Sequence, residues 1–207
     1  MKKTKIIYAG IIAIALAGCT PLGAAVGAGA SFGIAAAQEG GIEAATTDAA
    51  IRLQIHDLWF KHSVDMYRKL DMTVKEGRVL VTGTVSDPDL RVDAIRLAWQ
   101  ADGVRQVINE IRVEDSKTLK NYVQDTWITG QLRTKLTFDK QVQSINYSID
   151  TVKGTVYLMG VAQDDKERQR VIDHARNLAY VNNVVSYVRL RGETPDGLQP
   201  PTGTEKQ

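Results

Sequence analysis

A single cysteine, Cys19, rules out an intrachain disulfide framework, so any core must be held by burial alone. The chain has three histidines, His56, His62 and His174. No two of them stand at a metal-site spacing with a third ligand nearby, and no serine or cysteine sits in a recognisable nucleophile elbow or dyad. These absences argue against an enzyme and against a bound metal or other cofactor. No apolar run reaches the roughly 20 residues that a spanning helix needs. Basic and acidic residues number 26 and 24, a balance that offers no broad field to attract nucleic acid.

What is present begins at the amino terminus. Lys2, Lys3 and Lys5 precede an apolar run from Ile6 to Leu16, and Leu16-Ala17-Gly18-Cys19 follows. A short basic segment, an apolar segment and a small-residue cleavage site make a secretory leader over residues 1–18. Leu-Ala-Gly-Cys further resembles the bacterial lipobox, in which the cysteine is diacylated and becomes the new amino terminus. Cys19 is therefore the expected lipidation site, with acyl chains of the palmitate type anchoring the protein to a membrane. Thr20, where aspartate would favour inner-membrane retention, points by the same resemblance to the outer membrane, with the domains facing the periplasm. Loss of the leader removes three lysines, and the formal charge of +2 becomes −1. Residues 19–45, rich in Ala and Gly, read as a flexible tether; the alternative is an interfacial helix using Leu22, Val26, Phe32 and Ile34. Residues 192–207, with Pro195, Pro200 and Pro201, read as a disordered tail.

Between tether and tail the chain repeats itself. A shift of 77 residues lays Gly154-Thr155-Val156 on Gly77-Arg78-Val79 and Gly160 on Gly83. The same shift, without a gap, lays Ile128 on Ile51, Asp164 on Asp87, Arg168 on Arg91, Val181 on Val104 and Arg189 on Arg112. Such register over a whole unit indicates a tandem duplication.

Each unit carries the same succession of signals. In the first, residues 46–115, Asp48 is a candidate helix cap ahead of Ile51, Ile55, Leu58 and Trp59 at helical spacing. A polar segment runs to Lys69. Met72, Val74, Val79 and Val81 then alternate about Gly77 as a hairpin. Asp87-Pro88 opens a second helix with Ala94, Ile95, Leu97 and Ala98 inward, and residues 106–113 form a last strand. In the second unit, residues 116–191, Asp125 or Thr126 caps a helix carrying Ile128, Leu132 and Leu136. Strands at 145–151 and 155–160, a helix at 164–177 and a strand at 183–190 follow. The acidic cluster Asp164, Asp165 and Glu167 suits the positive end of that helix dipole. The expected class is α+β: two α-β-β-α-β units, each a three-stranded mixed sheet with two helices packed on it. Units this small should lean on each other or on the anchor.

The glycine-bounded hairpins Gly77–Gly83 and Gly154–Gly160, the acidic helix starts after them, and Val104–Ile111 and Val181–Val188 resemble the BON domain, found in pairs in envelope proteins of Gram-negative bacteria. Asp125-Thr126-Trp127-Ile128-Thr129, Val156–Gly160 and the lipobox are similar to the dual-BON outer-membrane lipoproteins of that family. One departure is Tyr180-Val181, where the family pattern has glycine before valine, as at Gly103-Val104. The resemblance implies a module that binds anionic phospholipid headgroups through the first helix of the second unit and supports outer-membrane integrity. On that helix, if Ile128, Leu132 and Leu136 face inward, Trp127, Gly130, Gln131, Thr134 and, past the helix end, Phe138 share a neighbouring stripe. From Lys117 to Lys140 five basic residues, including Arg133, Lys135 and Lys140, oppose Asp125 and Asp139, a local charge of +3. The implied lipid site is thus Trp127, Gln131, Arg133, Thr134, Lys135, Phe138 and Lys140. Two readings of the residues remain open: Trp127 at a membrane interface, or Trp127 packed between the units beneath a solvated basic face. The alternative function is a periplasmic adaptor for an envelope protein partner.

Overall fold

The computed structural model describes residue 38 and residues 40–114 and 119–193. The leader, Cys19, most of the expected tether and the tail beyond residue 193 lie outside the described residues. Unit one runs α1 (Gly41–His62), α2 (Val64–Lys69), β1 (Leu70–Lys75), β2 (Arg78–Val85), α3 (Pro88–Ala98) and β3 (Gln106–Val113). Unit two runs α4 (Leu119–Phe138), a 3₁₀ turn at Ser144–Asn146, β4 (Tyr147–Val152), β5 (Thr155–Ala162), α5 (Asp165–Arg176) and β6 (Asn183–Leu190). In each unit a hairpin supplies the antiparallel pair and a helical crossover adds the third strand in parallel, giving the orders β1-β2-β3 and β4-β5-β6. The expected α+β class with three-stranded mixed sheets is what the chain adopts.

Several local expectations need correction. Helix α1 begins at Gly41, inside the stretch expected as tether, because Ala44 and Ala45 are strong helix formers that read as linker by composition alone. Asp48 is therefore two turns inside the helix, and its carboxylate accepts the N–H groups of Glu76 and Gly77 at 2.8 and 2.9 Å. Asp125 likewise lies within α4 and accepts from Lys153 and Gly154 at 2.7 and 2.8 Å. Neither is a cap, and Thr126 instead donates its hydroxyl to the Tyr122 carbonyl. Each Asp clamps a helix to the tight turn of its own hairpin. In those turns both residues have positive φ, 52° and 72° at Glu76-Gly77 and 50° and 74° at Lys153-Gly154, the two-residue geometry that matches strand twist. The polar segment before Lys69 contains α2: extended Ser63 breaks the helix and its hydroxyl accepts from Met66 N, while Met66 is buried. Strand β4 starts at Tyr147 rather than residue 145, after the 3₁₀ turn. Phe138 is the last residue of α4, not beyond it. Glu167 does more than favour a dipole: it is buried, and its carboxylate accepts from Gln143 N at 2.7 Å and Gln163 N at 2.6 Å.

One core lies between helices and sheet in each unit. Ile51, Ile55, Trp59, Val79, Val81, Ala94 and Ala98 fill the first, and Ile128, Leu132, Leu136, Val156, Leu158, Val171 and Ala175 the second. Because side chains alternate across a strand, Leu80 and Tyr157 point the other way, and there the two sheets meet. Leu80, Val152, Tyr157 and Met159 form this third cluster, with Ile108, Val185 and Tyr187 packed against it. Burial on both faces explains why β2 is buried along its whole length. Leu80 and Tyr157 are the same repeat position, as are Glu110 and Tyr187, which hydrogen-bond each other across the seam. Arg78 donates to the Tyr187 carbonyl at 3.1 Å, Arg112 to Thr155 Oγ1 at 2.7 Å, and the ion pairs Glu76–Arg189 and Glu114–Lys153 close the seam's edges. Equivalent faces meeting in this way make an internal pseudo-twofold contact.

Candidate functional site

Helix α4 is amphipathic in an unusual sense. Ile128, Leu132 and Leu136 are fully buried at i, i+4, i+8, as the spacing predicts. The neighbouring stripe is apolar yet uncovered: Val123, Trp127 (42% exposed) and Phe138 (80% exposed) line up along it, with Gly130, Gln131 and Thr134 between them. Every residue of the sequence-implied site, Trp127, Gln131, Arg133, Thr134, Lys135, Phe138 and Lys140, is exposed on α4 or just past its end. Trp127 does not pack between the units. Among the described residues its one ring contact is with Tyr180 of its own unit, edge to face, with centroids 5.8 Å apart. The seam is made by the residues named above.

Three hydroxyls on or beside this face already have a donor role inside the helix. Thr126, Thr134 and Thr137 donate their hydroxyls to carbonyls one turn back, at 2.9, 2.9 and 2.8 Å, so these groups are satisfied within the helix. Both local acids are engaged elsewhere. Asp125 holds the hairpin turn, and Asp139 meets His174 Nε2 at 2.6 Å and Arg170 at 3.6 Å. The bond with His174 and the Gln141 N–H hold the Asp139 carboxyl below the ordinary carboxylate value. Arg133, Lys135 and Lys140 form no ion pair among the described residues. The outcome is an exposed aromatic and aliphatic stripe flanked by Lys135 and Lys140 on one side and at its end, with Arg133 on the side that borders the cleft shared with Asp71, Asp125 and Asp150.

The first unit lacks this face. Its counterparts of Val123, Trp127 and Phe138 are Thr46, Ala50 and Lys61. It exposes instead Leu53, Phe60, Val64 and Tyr67, whose counterparts are Gly130, Thr137, Gln141 and Ser144, so the fold itself demands neither surface. A pair of reversed polarity straps α3 to the end of α1 and α5 to the end of α4: His62–Asp93 at 3.0 Å in unit one, and Asp139–Arg170 at the same positions in unit two. Sequence reasoning missed Tyr180 and Val123 as members of the α4 surface. Tyr180 carried a readable signal, since it stands where unit one has Gly103.

Two clefts between the units, of about 500 and 380 Å³, are lined by mixed charges: Glu43, Glu76, Arg105 and Arg189 in one, Asp71, Asp125, Arg133 and Asp150 in the other. Among the described residues no three His, Cys, Asp or Glu side chains gather as a metal site. No helix of the described residues is long and apolar enough to cross a membrane.

Residues 47–115 and 124–192 each match the BON domain. The chain belongs to the BON-domain family. Each BON domain of the chain corresponds to one of the repeated units. An uncharacterised protein from the gshII 5′ region of Anaplasma centrale is 44% identical over 145 residues, 70% of this chain and 95% of that protein. The outer membrane lipoprotein DolP of Haemophilus influenzae is 32% identical over 84 residues, 41% of this chain and 44% of its own length. The osmotically-inducible protein Y of Escherichia coli is 28% identical over 148 residues, 70% of this chain and 73% of that protein. The pair of BON domains makes this a DolP-like protein in architecture.

Proposed function

We propose that this is a lipid-anchored protein of the bacterial envelope whose second BON domain binds anionic phospholipid through α4, supporting outer-membrane integrity. The observation that carries the reading is the face of α4: Val123, Trp127 and Phe138 uncovered, with Arg133, Lys135 and Lys140 unpaired beside them. An indole suits the boundary between acyl chains and headgroups, and each basic residue close to an anionic surface contributes about 1 kcal/mol. Cys19 supplies the first attachment and α4 the second, so a weak headgroup contact acts at high effective concentration. The similarity to an outer membrane lipoprotein and to another BON protein of Gram-negative bacteria supports the envelope placement.

All the contacts described lie within residues 38–193, so a chain beginning at Thr20 keeps the fold and lacks the acyl anchor. Its co-sedimentation with phosphatidylglycerol-containing vesicles, and not with neutral phosphatidylcholine, is the expected result. Trp127→Ala abolishes most of that binding. The double reversal Lys135→Glu/Lys140→Glu weakens it by at least about 30-fold, two headgroup contacts of about 1 kcal/mol each, and added salt does the same progressively. Absence of binding to either vesicle removes the second membrane contact from the reading.

An adaptor role has one observation in its favour: the exposed Leu53, Phe60, Val64 and Tyr67 of unit one, where the ring of Phe60 meets that of Tyr67 at 5.5 Å. Crosslinking from position 60 in intact cells tests it, with a discrete protein adduct as the expected result.

A further inference from the structure

Tyr180 occupies a backbone position that its residue type disfavours. Its φ is 69°, in the left-handed region, and the equivalent residue of unit one is Gly103 with φ 90°. The same turn, three residues before the last strand, is thus built once with glycine and once with tyrosine. Left-handed backbone is strained for any residue with a Cβ, and tyrosine has none of the short polar groups that make Asn and Asp tolerant. Nothing inside the fold offsets that cost by burial. The residue is 63% exposed, and its hydroxyl makes no hydrogen bond among the described residues.

What the ring does is stand against Trp127. The two meet edge to face, with an interplanar angle of 76°, and both remain open on their outer sides. In unit one the pair is Ala50 and Gly103, so both rings are absent together where the fold is otherwise the same. The turn places Tyr180 beside the Trp127 end of the α4 stripe, and Arg133, Lys135 and Lys140, which form no ion pair among the described residues, flank that stripe further along. That charge complements an anionic bilayer surface.

We infer that Tyr180 is a second insertion residue of the lipid-contact face. It extends that face from α4 onto the turn before β6 and holds the Trp127 indole edge-on, so that two amphipathic rings enter the headgroup boundary as one element. The inference rests on the reading of α4 proposed above. It adds a residue outside that helix, chosen at the expense of local backbone comfort.

The test uses the chain beginning at Thr20, with vesicles of phosphatidylglycerol and phosphatidylcholine, and compares Tyr180→Gly, Tyr180→Asn, Tyr180→Phe and Trp127→Ala. Gly and Asn both accept the left-handed backbone, so relief of strain offsets loss of the ring contact and thermal stability is kept in at least one of them. Binding in the stable variant falls about fivefold, the scale of one aromatic contact, and Tyr180→Phe keeps most of it. A residue with a merely structural role would move binding only as far as it moved stability. Unchanged binding in stable Tyr180→Gly or Tyr180→Asn, with loss in Trp127→Ala, overturns the role of Tyr180 and leaves α4 as the lipid helix. Unchanged binding in Trp127→Ala itself, or no binding by the parent chain, overturns both.

Discussion

Removal of the Asp125 carboxylate tests how α4 is held to its sheet. Asp125 accepts two backbone N–H groups, from Lys153 and Gly154 at 2.7 and 2.8 Å, in a turn whose two residues both have positive φ. Hydrogen bonds to a charged acceptor contribute about 1.5–3 kcal/mol each, and partial exposure places these near the lower figure. Asp125→Ala should therefore cost about 3 kcal/mol, and Asp125→Asn, which keeps one acceptor oxygen, about half that. In a domain pair of this size each kcal/mol lowers the melting temperature by about 3 °C, so the alanine variant should melt about 9 °C below the parent. Circular dichroism melts at neutral pH measure this directly. Asp57, which pairs with Lys61 on the surface of α1 at 2.6 Å, is the control, since exposed i, i+4 pairs contribute at most about 0.5 kcal/mol. If Asp125→Ala shifts the melt by no more than Asp57→Ala does, the clamp is not what holds helix to hairpin.

Tyr157→Ala empties the centre of the seam and should cost about 3–5 kcal/mol; a urea titration should then also show the two units unfolding in separate steps. Gly160→Ala would place a Cβ 2.2 Å from the Asn146 carbonyl oxygen, so a loss of at least about 2 kcal/mol is expected, read from the same titration. The Asp139 carboxyl is depressed by His174, so the stability it contributes is present above the ordinary carboxylate value and is lost as pH falls through its lowered one. Melting temperatures between pH 6 and pH 2.5 should fall less steeply in Asp139→Asn than in the parent, and parallel slopes would refute the linkage.

The repeat is the reason so much of the fold is legible from residues alone. Strands β1, β2 and β3 begin at 70, 78 and 106, and β4, β5 and β6 begin at 147, 155 and 183, each pair separated by the shift that aligns Gly77 with Gly154. Two copies of one pattern, each with Gly-bounded hairpins and period-2 apolar strands, constrain one another where a single copy leaves choices. The helix starts were less legible. The alanines before Asp48 carry no capping signal, and an aspartate looks the same in sequence whether it caps its own helix or reaches 28 residues away to a turn. Glu167 shows the same ambiguity, since an acidic residue in a helix's first turn reads as a dipole partner until the loop that folds over it is placed.

Local chemistry determined the hairpins, the core stripes Ile51-Ile55-Trp59 and Ile128-Leu132-Leu136, the succession of elements along each unit and the candidate stripe on α4, because each depends on residues close in sequence and on periodicity. Only the tertiary structure decided which of the remaining faces stay open. Leu80 and Tyr157 are no less apolar in pattern than Val123 and Trp127, yet the first pair is buried where sheet meets sheet and the second is left uncovered. Pairing Trp127 with Tyr180, engaging Asp125 and Asp139, and leaving Lys135 and Lys140 without an ion pair among the described residues are likewise consequences of contacts between residues far apart in the chain. Exposure and electrostatic balance belong to the folded surface, and no window of sequence contains them.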